Sequence, residues 1–373
     1  MSLCHKVGRE AGPGTGTSLI YFISESDEER PGLCPWLGKD CPGKEDGMEE
    51  MTLAGIDVAR KTLEVCLENS QLEARKFSND RQGHQALIQR LSRGRGRARV
   101  VLEATGVYHM DLALALHRAA RVEVMVVNPR AAKDFAQASM RRSKTDVIDA
   151  EVLLEYVRRM PFQAWIPPSA EELELRTLGR RIGALTKDRT KEKNRLHAAR
   201  YLSEIVHHDI DLNVRHLGRR IKGLRAQALK MISKTPGLRR RLDRLTSIRG
   251  IGTASAIQIL AELLVLPKDM TPRQWVAHAG LDPRIVQSGL SIHAPARISR
   301  MGNRHLRGAL FLPALVAIRF EPNVKAFYEK LLAKQKAKMQ AIVAVMRKLL
   351  HAIHGMLRTE TDFDGEKFYA LGR

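Results

Sequence analysis

"TLAGIDVARKTLEVCLE" (residues 52–68) is the stretch on which the fold turns. Two apolar runs rich in strand formers flank a tight basic turn at Arg60-Lys61, and that arrangement predicts a β-hairpin. "EARKFSN" adds a third strand, and "RQGHQALIQRLSR" is spaced as an amphipathic helix. "ARVVLEA" reads as a buried strand, "HMDLALALHRA" as a helix, "VEVMVVN" as a strand and "PRAAKDFAQA" as a short helix. A last helix opens at "SKTDVIDA" (residues 143–150). Three strands followed by alternating helices and strands predict a mixed α/β domain over residues 51–166.

That element order is the one found in ribonuclease-H-like folds, where the first and fourth strands are neighbours. Asp57 would then end the first strand beside Glu103 at the end of the central one. Asp146 and Asp149, three apart at a helix start, share one helix face and can point at the same place. Taken alone, the Asp pair reads as ordinary helix-start chemistry, because carboxylates favour the positive end of the helix dipole. Taken together, four converging carboxylates repel unless divalent cations hold them, and hard oxygen donors suit magnesium or manganese. A pair of such ions stabilises the attacking and leaving oxygens of a phosphoryl transfer.

Charge points the same way. The 373 residues carry a formal net charge of +22, an excess that attracts polyanions such as nucleic acid. Residues 1–50 hold five Lys/Arg against ten Asp/Glu, so the rest of the chain carries +27. Residues 215–249 hold twelve basic residues and one acid, Asp243, making them the densest candidate for a backbone-binding surface. A solvated helix face is the plain alternative for such a run. Four cysteines (Cys4, Cys34, Cys41, Cys66) make neither a disulfide framework nor a zinc site at recognisable spacing. No apolar run approaches the ~20 residues of a membrane span, and no secretory signal is evident. The expectation is a soluble, cytoplasmic protein of a bacterial or archaeal host. Residues 1–50, acidic and rich in Gly and Pro, are expected to be a disordered extension. Met48 or Met51 would make a natural start for the folded part.

Beyond Pro167-Pro168, Ser169 and Glu172 form a capping box for a new helix. Leu175, Leu178, Ile182 and Leu185, then Leu217, Ile221, Leu224, Ala228 and Met231, repeat a heptad-like seam. A coiled-coil arm over residues 169–235, broken near His207-His208-Asp209 and stopped by Pro236-Gly237, is the reading. Residues 236–320 read as mostly helical, with a Gly-rich turn at Gly250 and Gly252 and a loop-rich stretch "GLDPRIVQSGLSIHAPARISRMGN". A C-terminal helix interrupted near Gln335, and a tail, occupy residues 321–373.

"GIDVARKTLEV", "EATGVYH", "VVNPRAAKDFA", "KTDVIDA", "IRGIGTASAIQILAEL" and "HAGLDPRIVQSG…RISRMGNRHLRGALF" occur in order across residues 51–350. With these motifs the chain resembles the DEDD transposases of the insertion sequence 110 family, relatives of the pilin-gene invertase. The resemblance implies a RuvC-like domain whose catalytic, metal-binding acids are Asp57, Glu103, Asp146 and Asp149, loaded with magnesium. It also implies a helical transposase domain in which Ser288, the serine of "QSG", attacks DNA and becomes joined to its end. Members of the family are guided by a structured non-coding RNA that pairs with donor and target DNA, and they assemble as homo-oligomers, dimers or tetramers. From the residues alone Ser288 is a turn serine, and a serine hydroxyl needs a base or metal to become nucleophilic. Arg297, Arg300, Arg304 and Arg307 are candidate phosphate clamps or a solvated basic face. Arg249, Gly250 and Gly252 resemble a helix-hairpin-helix in which backbone N–H groups meet a DNA phosphate, or form a plain tight turn. Tyr108 is expected to pack in the core or shape the site. A hydrolytic junction nuclease of RuvC type and a catalytically inactive nucleic-acid-binding relative are the alternatives.

Overall fold

The computed structural model describes residues 51–371 apart from 69–74, 94–95, 105, 107, 141–144, 200, 202 and 289–291. The expected extension, residues 1–50, lies outside the described residues. In the first half of the fold, β1 (Thr52–Val58) and β2 (Thr62–Leu67) form the predicted hairpin across Arg60-Lys61. Antiparallel to β2 runs β3 (Arg75–Ser78). Helix α1 (Arg81–Leu91) leads to β4 (Ala98–Glu103), and α2 (His109–Arg118) leads to β5 (Val122–Val127). Helices α3 (Pro129–Ala138) and α4 (Asp146–Arg159) close the unit. The sheet order is β3-β2-β1-β4-β5, with β4 parallel to both β1 and β5. This is the ribonuclease-H-like order expected from the sequence.

Period-two alternation along β1 divides the packing between the two sheet faces. Ala54, Ile56 and Val58 join Leu87, Leu112 and Leu116 of α1 and α2 in one core. On the other face Cys66, Val101 and Met125 pack against Ala150, Leu153 and Leu154 of α4. Gly55 faces α4, and a Cβ built there would lie 2.2 Å from the Ala150 carbonyl oxygen and 2.3 Å from the Leu154 nitrogen. Absence of a side chain at this one position lets the helix backbone rest on the strand.

The second half is mostly helical. Helices α5 (Ala170–Ala199) and α6 (Glu204–Lys234) pack as a hairpin. The Ser169–Glu172 capping box is present, its two bonds 2.9 and 3.2 Å long. The helix break falls at residues 200–203, not at His207-His208-Asp209, which lie inside α6. Ser203 caps α6 through its hydroxyl, and that cap sets the break. Of the seam, Leu175, Ile182, Leu185, Leu217, Ile221 and Ala228 are buried, and Ile232 takes the place expected for Met231. Pro236 does not simply stop a helix; it is the first residue of α7 (Pro236–Ser247), where its missing N–H costs nothing.

Helices α8 (Thr253–Leu263) and α9 (Pro272–His278) precede a β-hairpin, β6 (Pro283–Ser288) with β7 (Ile292–Ile298). This hairpin occupies part of the stretch expected to be loop-rich, and Pro295 lies within its second strand. The register slips by one residue between Arg284 and Val286, so Pro295 and Ala296 sit opposite Ile285 in a bulge that tolerates the proline. Helices α10 (Arg304–Phe320), α11 (Pro322–Ala333) and α12 (Lys338–Thr359) follow, with the interruption at Gln335 where φ is 57°. The last residues are not a free tail. They form α13 (Gly365–Phe368), whose Phe368 is buried, and Asn323 donates 2.8 Å to the Tyr369 carbonyl. One hydrophobic core runs from Leu175 to Phe368. Among the described residues no helix is long and apolar enough to cross a membrane.

Gly55→Ala is expected to destabilise the protein by about 1–3 kcal/mol through overpacking. Urea unfolding of the purified variant measures this, and a value near zero would show that α4 can slide off β1 without cost.

Candidate active site

Asp57 lies two residues beyond Gly55 and therefore on the same sheet face, the face covered by α4. The parallel register Ile56↔Leu102 brings the next residues, Asp57 and Glu103, to neighbouring strand ends. Val101, two before Glu103, is buried against α4 and fixes the face on which Glu103 stands. Helix α4 begins with Asp146, and Asp149 completes its first turn. Thr145 caps it, its hydroxyl accepting from the Ile148 nitrogen at 3.3 Å. Close contact at Gly55 thus aims the N-terminal end of α4 at the ends of β1 and β4.

Electrostatics register the convergence. Asp57 is pushed up to about 6 from an ordinary 3.8, first by burial and then by the charges of Asp149, Asp146 and Glu103. All three remaining acids therefore lie within electrostatic reach of Asp57. The donor set is wholly carboxylate, which suits a hard divalent cation, and such an ion would relieve the repulsion that raises Asp57. Among the described residues no three His, Cys, Asp or Glu side chains are already gathered closely enough to grip an ion. A bound cation would have to draw these carboxylates inward.

Sequence reasoning missed Asn79. Its amide donates to the Ala59 carbonyl at 2.9 Å and the Tyr108 carbonyl at 3.2 Å, while its oxygen meets His84 Nε2 at 2.8 Å. It thereby ties the turn after β1 to the turn after β4, the two segments that carry Asp57 and Glu103. Tyr108 is 43% exposed, so it is not a core residue. A lone Asn before a helix carries no periodic signal, and only the tertiary contacts single it out.

Ser288 is the last residue of β6, paired through its backbone with Ile292, rather than a residue of an open loop. At the base of this hairpin Ile298 packs against the helical core, whereas the four acids stand on β1, β4 and α4. At the hairpin base the Asp282 carboxylate accepts from the Ser299 hydroxyl, and the Ser299 nitrogen donates to the Asp282 carbonyl at 2.9 Å. Arg297 stands across from Arg284, and both are exposed. Arg300, at φ 53°, and Arg304, at the start of α10, are also exposed. Arg307 is engaged within the fold, its Nη1 donating 2.7 Å to the Ala279 carbonyl. Burial, then the charge of Arg300, holds it below its ordinary value.

Arg249 is exposed, with Glu321 3.9 Å away. Gly250 has φ 116°, and a Cβ there would meet Pro313 O and Ala317 N at 2.7 Å, so the glycine is required by the crossing of α10. Gly252 has open space around it and precedes α8 without a side-chain cap.

Beneath these elements lies a polar hub that periodicity could not reveal. Glu262, 2% exposed, accepts a two-pronged bond from Arg180 at 2.7 and 3.0 Å and a third from Asn303 at 2.7 Å. Arg176 stands 3.7 Å away. Burial alone would raise Glu262, but the bonds from Arg180 and Asn303 and the two guanidinium charges hold it below its ordinary value. Asn303 also caps α10 through Oδ1, so the hub joins α5, α8 and α10.

Two outcomes follow from this geometry. Asp57 has a folded-state value above its unfolded one, so its contribution to stability is complete below about pH 4 and is lost as pH rises through 6. In EDTA, Asp57→Asn should therefore stabilise the protein at pH 8 by about 1–3 kcal/mol, with the gain vanishing towards pH 4. Urea titrations across that range test this, and a pH-independent difference would contradict it. Glu262→Gln leaves two guanidinium groups without a counter-charge and should cost roughly 1–3 kcal/mol, measured in the same way at pH 7.

Comparison with known proteins gives this architecture a family. Residues 54–206 match the DEDD transposase model of insertion sequence 110, and residues 242–329 match the transposase model of the IS116/IS110/IS902 family. The pilin gene-inverting protein of Moraxella bovis is 32% identical over 321 residues, covering 84% of this chain and 98% of that protein. The pilin gene-inverting protein of Moraxella lacunata is 34% identical over 325 residues, with the same coverage. A 43.6 kDa protein of insertion element IS110 from Streptomyces coelicolor is 35% identical over 124 residues, 32% of this chain and 29% of its own. With a RuvC-like sheet and a helical second half, the chain belongs to the IS110 family of transposases, enzymes of DNA recombination.

Proposed function

We propose that the protein cuts and rejoins DNA through two groups of residues with separate tasks. Asp57, Glu103, Asp146 and Asp149 hold magnesium, or manganese in its place, and Ser288 supplies the attacking oxygen. The observation that carries this reading is the convergence of four carboxylates at neighbouring strand ends and the start of α4, where burial first and then the charges of Asp149, Asp146 and Glu103 push Asp57 up to about 6. Relatives named for inverting a pilin gene support DNA as the substrate, as does the +27 charge outside residues 1–50.

In the proposed step Ser288 Oγ forms an ester bond to a DNA phosphorus while the bond from that phosphorus to a sugar oxygen breaks. The serine proton passes to a base, and the leaving sugar oxygen takes one up. Because one phosphoester replaces another, the reverse step rejoins a strand without an energy source. Divalent cations at the acidic site would supply charge stabilisation for the phosphorane-like transition state and lower the effective pKa of the hydroxyl. Ser288 lies on the β6–β7 hairpin and the acids on β1, β4 and α4, and the proposed site is a composite assembled from more than one protomer. The α5–α6 hairpin, as a coiled-coil arm, is suited to joining two such chains in a dimer or tetramer. A structured guide RNA is the proposed source of target choice, and the exposed arginines at the hairpin base and the α10 start are candidate backbone contacts.

The full chain, incubated with magnesium, DNA bearing the flanks of its gene and RNA transcribed from them, should give a protease-sensitive protein–DNA adduct. Ser288→Ala should abolish the adduct, and Asp57→Asn should abolish cleavage while sparing RNA binding. Cleavage that survives Ser288→Ala would make water the nucleophile, and equal loss of RNA binding in Asp57→Asn would make Asp57 structural.

A further inference from the structure

The densest basic segment of the sequence, residues 215–249, has a counterpart in the fold that the acidic site and the serine hairpin do not use. Between α5 and α6 lies a groove of about 460 Å³ lined by Arg189, Gly218, Ile221, Lys222, Arg225 and Leu229, with Ala226 at its edge. Three cations face it and no acid does. Some cations elsewhere on the hairpin have partners, among them Lys191 with Asp188, Arg195 with Glu192 at 2.6 Å and Arg215 with Asp211 at 2.6 Å; what sets the groove apart is that three cations share one concavity with no acid in its lining. Among the described residues Arg189, Lys222 and Arg225 have no such carboxylate.

Arg225 is half-buried, and its Nε is shut off from solvent with no hydrogen-bond partner. Burial, then the charge of Arg189, holds it below its ordinary value. Two guanidinium groups and an ammonium held together without a counter-charge are unfavourable unless an anion completes them. Gly218 lines the groove beside Arg189, whose Nη1 a Cβ at that position would meet at 3.9 Å, an ordinary contact distance.

We propose that this groove is a binding site for the backbone phosphates of a nucleic-acid duplex. The lining decides the class of ligand. It has no aromatic ring on which an unpaired base could stack and no Asn, Gln, Asp or Glu for adenine or cytosine edges. Its Arg and Lys side chains suit guanine as well, but three cations gathered without a counter-charge are matched best by a run of phosphates. What remains is positive charge over a small apolar floor of Ile221 and Leu229, suited to a phosphate-sugar edge regardless of sequence. The inference rests on the reading of the chain as a nucleic-acid recombinase, and it adds where along the α5–α6 arm the duplex is held.

Its test is the salt dependence of binding by the full chain to a 30-bp DNA duplex and, separately, to an RNA duplex of equal length. Arg189→Gln, Lys222→Gln and Arg225→Gln should each reduce the slope of log K against log salt by about 1, and the triple variant by about 2–3. Gly218→Glu should act in the same direction; it favours the helix, so loss of folding cannot account for its effect. A reduced slope with either duplex supports the site and identifies the source of the phosphate. An unchanged slope with both overturns it. A change in sedimentation mass with an unchanged slope would also overturn it, making the groove a contact between copies of the chain. Asp57→Asn separates the two readings: it should abolish cleavage and leave the salt slope unchanged. If the wild type forms no adduct while the slope still falls, the groove stands and the proposed chemistry does not.

Discussion

Everything at the acidic site depends on one contact, the seating of the α4 backbone on Gly55. A strand normally keeps a helix at the distance its side chains impose. Here the missing Cβ lets Ala150 and Leu154 approach the strand itself. The N-terminal end of α4 consequently reaches the rim of the sheet, and Asp146 and Asp149 arrive where Asp57 and Glu103 end their strands. The repulsion that results is visible in Asp57, and it is sustained by the hydrophobic burial behind it: Val101, Leu153 and Leu154 pack too well for α4 to retreat. Packing energy is thus converted into a site poised for cations.

A second constraint organises the helical half. Glu262 is an ionised group sealed inside a core and would be ruinous without Arg180, Arg176 and Asn303. Its network reaches the first third of α5, the end of α8 and the cap of α10, and through α10 the loop that follows the serine hairpin. Burying charge in this way contributes little net stability, but it admits few alternative arrangements. The helical arm, the end of α8 and the start of α10 are therefore held in register by one carboxylate. Gly250, pressed against Pro313 and Ala317, does the same for the α7–α8 turn.

How much of this could be read from residue order varies with the range of the interaction. Strand and helix order from residue 52 to 159 was legible because apolar period and turn chemistry are local, and the Asp and Glu positions followed from that order. The seam of α5 and α6 was legible for the same reason. Misreadings occurred where long-range contacts overrule local pattern: a bulge accommodates Pro295 within a strand of a stretch expected to be loop-rich, and the last residues seemed a tail although Phe368 and Tyr369 have a pocket waiting. Asn79, Glu262 and Arg225 were invisible, since each draws its meaning from partners distant in the chain. The sequence by itself determined the elements, their order and the charges they carry, because these depend on near neighbours. Only the tertiary structure decided which carboxylates share a field, which cations are left without partners and which glycines stand where another backbone must pass, because each is a property of distances between segments that the chain brings together on folding.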